Sequence, residues 1–234
     1  MGSSGGNEER GLSQRYGERR GEAYSAKYSP FDPANLLATE QRARLVSREL
    51  LRRGHLSLAG LDILDVGCGS GTELLRLLPL GADPRRLHGI ELLDDRASAA
   101  RERHPHFDIT TGSAAQMPWS DESMDIVTQM TAFSSILDDS VRAAAAHEMA
   151  RVLRPNGLII WYDFTWNRPG DTRGVRTAEV RRLFPRFVAR FHSVTLAPPI
   201  ARRLAPRRPT TARLFQAVPF LCLHRLAFLE RSTS

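Results

Sequence analysis

Cysteine is scarce in this sequence, and long apolar runs are missing. The chain has two cysteines, and Cys68 lies inside a glycine-rich turn, so the sequence predicts no disulfide framework and fits a reducing cytoplasm. No apolar stretch approaches the length of a membrane span, and the first residues, MGSSGGNEER, lack the apolar segment of a signal peptide. We therefore expect a cytoplasmic protein without a membrane partner.

Lysine is also nearly missing, although the chain is strongly basic. The formal net charge is +7 and the isoelectric point about 10.3, but Lys27 is the one lysine and the arginines are scattered. Proteins that bind single-stranded nucleic acid usually interleave basic with aromatic residues, and the sequence shows no such stripe. A basic balance favours anionic partners in general, but this distribution argues against nucleic acid.

Short apolar segments alternate with helical segments through the middle of the chain. At 234 residues and 41% hydrophobic content, the chain is large enough for one domain with a real core. Five strands are expected at 61–66, 87–92, 107–112, 123–130 and 158–164, and four helices at 35–53, 72–80, 95–104 and 139–153. Strands that alternate with helices predict a parallel α/β sheet with helices on both faces.

The last third of the chain is less regular. Two later strands are expected at 190–196 and 221–230, separated by a stretch rich in proline and arginine that is expected to form short helices and loops. The sequence RPNG (154–157) is expected to be the turn before the fifth strand. Two strands that follow a five-stranded parallel set indicate an antiparallel edge.

The turn GCGSG (67–71) is the segment most typical of a binding site. It follows a buried strand and precedes a helix, and its glycines let a ligand approach the backbone at a helix start. Glu91 ends the second strand, where an acid can accept hydrogen bonds from both hydroxyls of a ribose. The glycine spacing differs from the dinucleotide fingerprint, because Gly71 comes one residue early. The pattern predicts a site for an adenosine-type cofactor.

Four sequence blocks carry a resemblance to a known family: ILDVGCGSG (63–71), GIEL (89–92), GSAAQMPWSDESMDIV (112–127) and EMARVLRPNGLII (148–160). In this order and spacing the chain resembles the class I S-adenosylmethionine-dependent methyltransferases, in particular the branch of the ubiquinone and menaquinone biosynthesis methyltransferases. The resemblance implies a Rossmann-like, seven-stranded, mostly parallel sheet with an antiparallel edge strand. It also implies S-adenosylmethionine as cofactor and S-adenosylhomocysteine as product.

The resemblance also implies which residues hold the cofactor. Asp65 and the turn would surround its methionine end, Glu91 would hold the ribose, and Leu92 would pack on the adenine. Ser113 stands where the family usually has an aspartate that faces the adenine. The full set is Asp65, Gly67, Cys68, Gly69, Gly71, Glu91, Leu92, Ser113, Ala114, Gln129 and Met130.

The acceptor is expected beyond the carboxyl ends of the fourth and fifth strands. Asp163 is the candidate general base, with a structural carboxylate as the alternative, while Asp138 and Asp139 are expected to cap the next helix. Strand alternation lets either Trp161 with Asp163, or Tyr162 with Phe164, face the acceptor. The candidate acceptor-binding residues are Phe133, Tyr162, Trp166 and Arg173.

No metal site is predicted, because His104 and His106 follow a helix and lack partner ligands. We expect a flexible arm or lid at 1–34 and one methyltransferase domain at 35–234, with a cofactor core at 61–164 and a substrate or lid region at 165–219. A small-molecule acceptor is favoured over a peptide or protein, then RNA. A noncatalytic cofactor-binding scaffold and assembly as a homodimer stay open.

Overall fold

A computed structural model describes residues 31–167 and 172–232, together with Gly11 and Ser29. Most of the arm expected at 1–34 therefore lies outside the described residues. The helices are α1 (Pro33–Arg52), α2 (Thr72–Leu75), α3 (Asp94–Arg103), α4 (Asp139–Val152), α5 (Thr177–Leu183), α6 (Pro198–Leu204) and α7 (Pro209–Phe215). The strands are β1 (Ile63–Val66), β2 (Leu87–Glu91), β3 (Asp108–Thr111), β4 (Met124–Met130), β5 (Leu153–Phe164), β6 (Phe187–Leu196) and β7 (Cys222–Arg231).

The strands form one seven-stranded sheet in the order β3-β2-β1-β4-β5-β7-β6. Strands β1 to β5 pair in parallel, and β7 pairs antiparallel with both β5 and β6. The mostly parallel sheet with antiparallel pairing at one edge is therefore confirmed. All five parallel strands end at the same edge, called here the carboxyl edge, and the end of β6 and the start of β7 lie at that edge too.

Each face of the sheet carries its own hydrophobic layer, because the buried strands present apolar residues on both sides. Leu74 of α2 and Leu50 of α1 pack on one face with Ile160 and Tyr162. Met149 of α4 and Val180 of α5 belong to the layer on the other face, with residues such as Ile159 and Trp161. The two layers separate alternate residues of β5, as the sequence predicted from strand geometry.

Three predicted boundaries were wrong. Strand β6, expected from residue 190, begins at Phe187. Strand β5 begins at Leu153, so RPNG (154–157) belongs to the strand, and the pairing register with β4 shifts between Met124 and Ile126. The irregular pairing lets a segment with turn composition remain extended. The helix expected at 72–80 ends at Leu75 and is followed by a 3-10 turn that contains Pro79, because proline cannot continue the α-helical hydrogen bonds.

Several helix starts follow the capping rules. The Asp32 carboxylate accepts a hydrogen bond from the Ala34 N–H at 2.8 Å, directly before Pro33 opens α1. Asp138 caps α4 in the same way and accepts from the N–H groups of Ser140 and Val141. The start of α1 then packs with α6 and α7 in a third hydrophobic layer at the carboxyl edge, with buried members Ala34, Leu37, Leu196, Ala201, Ala205 and Ala212.

Candidate active site

The turn at 67–71 has a backbone that favours glycine at three positions. Gly67, Gly69 and Gly71 have φ of 73°, 55° and 75°, in the left-handed region where side chains are strained. A Cβ on Gly67 would lie 2.7 Å from the Cβ of Ala132, so that position is also closed sterically. The N–H groups of Gly67 and Cys68 donate to the Ile90 carbonyl, at 2.8 and 3.1 Å. The turn is thereby fixed to the end of β2.

Glu91 links this turn to the start of α3. Its side chain is 4% exposed, and its two oxygens accept hydrogen bonds from the N–H groups of Gly69 at 2.9 Å and Leu93 at 3.1 Å. The Arg96 guanidinium lies 3.6 Å from the same carboxylate and close over the Gly69 backbone. A buried carboxylate at the end of β2, joined to the glycine turn, fits the ribose of an adenosine cofactor.

Asp65 lies under the turn and is 2% exposed. Burial raises its pKa to about 7, the neighbouring Glu73 and Glu91 carboxylates add to the rise, and a 2.7 Å hydrogen bond from the Thr128 hydroxyl opposes it. Three carboxylates near one glycine turn favour a cationic ligand group. This charge distribution fits the ammonium and sulfonium groups of S-adenosylmethionine.

Cys68 faces the interior of the turn and is 6% exposed. Burial raises the pKa of its thiol far above the usual range, so the reactive thiolate is disfavoured. We expect Cys68 to act by packing and through its backbone.

The predicted adenine-facing residues lie next to Glu91 at the carboxyl edge. The Gly112 N–H donates to the Glu91 carbonyl at 2.9 Å, which places the segment after β3 beside Leu92. The Ser113 hydroxyl accepts from the Ala115 N–H at 3.2 Å, within a turn that also includes Ala114. This serine therefore stabilises its own turn, while Leu92 and Ala114 stay partly exposed.

Gln129 and Met130, at the end of β4, face opposite sides of the sheet. The Gln129 amide is fully buried; it donates to the Tyr162 carbonyl at 3.3 Å and accepts from the Ala132 N–H at 3.0 Å. Met130 pairs in register with Tyr162 and lies on the face that carries Asp65 and α2. Of these two side chains, that of Met130 lies on the same face of the sheet as α2, the helix that follows the glycine turn.

One side of the β5 end is packed. The Trp161 ring is 1% exposed, and its centroid lies 4.3 Å from that of Phe133 and 5.8 Å from that of Phe184. Asp163 on the same side is also 1% exposed, and its oxygens accept from the N–H groups of Ser134 at 3.1 Å and Phe164 at 2.8 Å. Burial raises the pKa of Asp163 to about 6, although these hydrogen bonds act to lower the pKa. Its role as a base stays a prediction.

The other side of β5 brings together residues from four distant segments. The Tyr162 hydroxyl is 2.8 Å from the Thr195 hydroxyl, and its ring lies parallel to the His224 ring with centroids 4.7 Å apart. The Arg42 guanidinium is 4.6 Å from the Tyr162 ring and pairs with Glu73 of α2 at 3.0 Å. Tyr162 therefore connects the expected acceptor end of β5 with the helix that follows the glycine turn.

His224 is the most unusual member of this group. Burial lowers its pKa to about 3, with Arg42 adding to the effect, so the ring is neutral at physiological pH. Its Nδ1 is buried and has no hydrogen-bond partner in the part of the chain that the structure describes. Sequence reasoning missed Arg42 and Thr195, because nothing local relates α1 or β6 to β5.

The loops after β4 and β5 are tied together by arginines. Arg173 donates to the Leu137 carbonyl at 3.1 Å and pairs with Asp139 and Glu179, while Trp166 is 44% exposed beside Phe164. Arg142 is fully buried and donates to the carbonyls of Ile136 and Arg173 and to the Glu179 carboxylate, at 2.6 to 2.8 Å. No sequence pattern pointed to Arg142, which sits inside an alanine-rich helix.

The described residues contain neither a candidate metal cluster nor a helix that could span a membrane. Within residues 31–167 and 172–232, no three His, Cys, Asp or Glu side chains are grouped so as to hold a metal ion. The His104 ring stacks on Phe107 with centroids 4.9 Å apart. Among the same described residues, no helix is long and apolar enough to cross a membrane.

Residues 63–157 match a family described as a methyltransferase domain. The matched segment runs from the start of β1 into β5, so it includes Asp65, the glycine turn and Glu91. The match confirms the resemblance seen in the sequence: this segment is similar to methyltransferase domains, and the predicted cofactor agrees with the S-adenosylmethionine-dependent methyltransferase among the relatives.

Three curated relatives show how far the likeness extends. A probable S-adenosylmethionine-dependent methyltransferase of Mycolicibacterium smegmatis is 33% identical over 107 residues, covering 44% of this chain and 37% of the relative. A demethylmenaquinone methyltransferase of Renibacterium salmoninarum is 27% identical, covering 58% and 55%. A 27-O-demethylrifamycin SV methyltransferase of Amycolatopsis mediterranei is 28% identical, covering 65% and 54%. The matched part of the chain spans about 37 to 55% of the length of these relatives.

Solved structures extend the likeness to nearly the whole chain. The magnesium protoporphyrin IX methyltransferase of Synechocystis PCC 6803, solved with bound S-adenosylmethionine, superposes with a TM-score of 0.63. The superposition covers 95% of this chain and 97% of that one, at 15% sequence identity. At this identity the likeness shows the fold alone, and it confirms the Rossmann-like class.

Proposed function

We propose that the protein transfers the methyl group of S-adenosylmethionine to an oxygen, nitrogen or carbon of a small-molecule acceptor. The observation that carries this proposal is the pair of buried carboxylates, Asp65 and Glu91, at a turn whose three glycines have positive φ. Both lie at the carboxyl edge of the sheet, where β4 and β5 also end. A cofactor held there has an acceptor region directly beside it.

Each part of the cofactor has a partner of suitable chemistry. Glu91 would accept hydrogen bonds from the ribose hydroxyls, and Leu92 and Ala114 would contact the adenine. Asp65, whose burial favours the protonated form, would be ionised by the positive charge of the amino-acid end. The Arg96 guanidinium lies over Gly69, so we expect this side chain to move when ribose binds.

The bound cofactor supplies an electrophilic methyl group on a sulfonium. In the transfer, the acceptor atom forms a bond to the methyl carbon, and the carbon–sulfur bond breaks with its electron pair passing to sulfur. The chain's task is to align the two reactants and exclude water. Met130 and Tyr162 belong to the edge of the hydrophobic layer on this face, which helps to exclude water.

The acceptor loses a proton when it is a hydroxyl or an amine. Asp163 is the proposed base. A general base is most efficient when its pKa lies near the working pH, and the raised pKa of Asp163, about 6, is close to physiological pH. Its hydrogen bonds from the N–H groups of Ser134 and Phe164 support the structural role instead. Both roles predict burial, so turnover by an Asp163 variant must decide between them.

We propose that Phe133, Tyr162, Trp166 and Arg173 bound the acceptor region, as the sequence suggested. Tyr162 has the strongest support, because it shares a face with Met130 and joins α1, β6 and β7 through its contacts. Small-molecule acceptors are supported by the names of the demethylmenaquinone and demethylrifamycin enzymes among the relatives. We propose a role in bacterial secondary metabolism or glycan modification, carried out in the cytoplasm.

A mass-spectrometric assay of methyl transfer tests this proposal. The protein is incubated with methyl-labelled S-adenosylmethionine and, in parallel, with a small-molecule extract, a peptide mixture and total RNA. We expect label in the small-molecule fraction together with S-adenosylhomocysteine. Label in peptides or RNA instead would identify one of these as the acceptor. Cofactor binding without any methyl transfer would indicate a noncatalytic scaffold.

A further inference from the structure

The positive charge of this protein is concentrated in one part of the chain. Ten of the 33 basic residues lie between residues 180 and 229, and none of the 26 acidic residues does. Outside this stretch the chain has 23 basic and 26 acidic residues, so the whole positive excess belongs to the stretch. Half of its arginines lie on α6, α7 and the turns beside them, a surface that we call the basic cap (residues 198–221).

Most arginines of the cap have little ionic compensation. Arg213 pairs with Glu40 at 3.0 Å and Arg202 lies 3.6 Å from Asp32, both on exposed surface. Arg203, Arg207 and Arg208 are exposed, and none of them has a carboxylate within ion-pair distance in the described part of the chain. The cap therefore presents several cations that face solvent without counter-charges from residues 31–167 or 172–232.

The same surface exposes large apolar side chains. Leu214 is 67% exposed, Phe215 38% and Phe220 85%. The inward side of α7 is already filled, since Ala212 and Gln216 are buried against α1. The fold therefore does not need these three side chains for its core.

Helix α1 continues this surface at its first turn. Leu36 is half exposed and lies one helical turn before Glu40, the residue that pairs with Arg213 of α7. Phe31, just before α1, is almost fully exposed. The basic cap and the start of α1 thus expose apolar and basic side chains on the elements that form the third hydrophobic layer.

We propose that the basic cap docks on the surface of an anionic lipid bilayer. Arginines at the headgroup phosphates, with leucine and phenylalanine at the boundary of the acyl chains, are the combination that binds helices in the interfacial plane. Leucines have no stacking role on nucleic acid, where aromatic residues contact the bases. The proposal departs from the expectation of no membrane partner, which rested on the absence of a spanning segment.

Vesicle cosedimentation tests the docking, and it needs neither cofactor nor turnover. The probes are vesicles of phosphatidylcholine alone and vesicles of phosphatidylcholine and phosphatidylglycerol in equal parts. We expect binding to the anionic vesicles that weakens with salt. The charge variant is Arg203→Glu, Arg207→Glu and Arg208→Glu together. Loss of the three arginines alone should weaken binding by about 100-fold, given about 5-fold for each arginine near an anionic surface, and the added glutamates should weaken it further.

A matched control variant tests whether binding depends on the basic cap or on the net charge of the whole protein. Arg85, Arg103 and Arg186 are exposed near the opposite edge of the sheet, so reversing all three changes the net charge equally. This control should keep most of the binding. Equal losses in the two triple variants, or no binding of the wild type to anionic vesicles, would overturn the proposal.

A second pair of variants tests the apolar contribution. Leu214→Ser with Phe220→Ser should remove the binding that persists at high salt, whereas Leu56→Ser with Val188→Ser, exposed elsewhere, should not. Binding that is unchanged in the cap variant would overturn the interfacial arrangement. A gel shift with an RNA oligomer completes the test, because tighter binding to RNA than to anionic vesicles at equal salt would contradict a lipid surface.

Discussion

Replacing Glu91 by glutamine is the most informative single change at the proposed cofactor site. The isosteric amide keeps the size of a side chain that is 4% exposed, but it removes the charge that accepts hydrogen bonds from Gly69 and Leu93. In the proposed complex the same carboxylate accepts two ribose hydroxyls. Hydrogen bonds to a charged group contribute about 1.5 to 3 kcal/mol each.

We expect the dissociation constant for S-adenosylmethionine to rise by about 100-fold or more in Glu91→Gln. This factor corresponds to a loss of about 3 kcal/mol, the lower end for two charged hydrogen bonds. Isothermal titration calorimetry with S-adenosylmethionine and S-adenosylhomocysteine measures it. Both ligands carry the ribose, so both affinities should fall by similar factors.

The control for this experiment is Glu148→Gln. Glu148 also accepts a backbone hydrogen bond, from the Met117 N–H at 2.7 Å, and also pairs with an arginine, Arg151. It lies on α4, away from the glycine turn, so its replacement should lower the melting temperature without changing cofactor affinity. A Glu91→Gln variant that binds the cofactor within about threefold of the wild type would refute the ribose assignment.

Three further predictions concern buried polar groups. Asp163→Asn should abolish turnover and leave cofactor affinity intact if Asp163 is the base, and near-normal turnover in the transfer assay would make it structural. Ionisation of Asp65 is disfavoured in the fold, so the free energy of unfolding should fall as pH rises from about 4 to about 7, by up to about 4 kcal/mol. Urea unfolding of Asp65→Asn should show a flatter pH profile than the wild type, and parallel profiles would contradict the raised pKa. Arg142→Met should destabilise the protein by about 3 kcal/mol, because it leaves the Ile136 and Arg173 carbonyls without this donor and the Glu179 carboxylate paired with Arg173 alone; a melting temperature equal to that of the wild type would contradict this.

Local patterns predicted the first half of the fold well. The strand before GCGSG, the turn itself and the acid at the end of the next strand are close in sequence and obey simple rules of periodicity and glycine conformation. The boundary errors also have local causes. The apolar periodicity predicted a helix up to residue 80, but the helix ends before Pro79. The turn-like residues before Gly157 belong to β5, where the pairing with β4 is irregular.

The environment of Tyr162 could not be predicted in the same way. Its neighbours Arg42, Thr195 and His224 come from α1, β6 and β7, and they meet only because the order of strands places β7 between β5 and β6. Alternation alone showed that β5 has two different sides. The structure adds that the Tyr162 side is shared with Met130 and α2, and that the Asp163 side is enclosed by Phe133 and α5.

The most direct test of the account is a crystal structure with S-adenosylhomocysteine. We expect the ribose within hydrogen-bonding distance of Glu91, the amino-acid end beside Asp65 and the glycine turn, and the sulfur towards Met130 and Tyr162. A ligand bound away from residues 67–71, or a ribose with no contact to Glu91, would contradict the central claim.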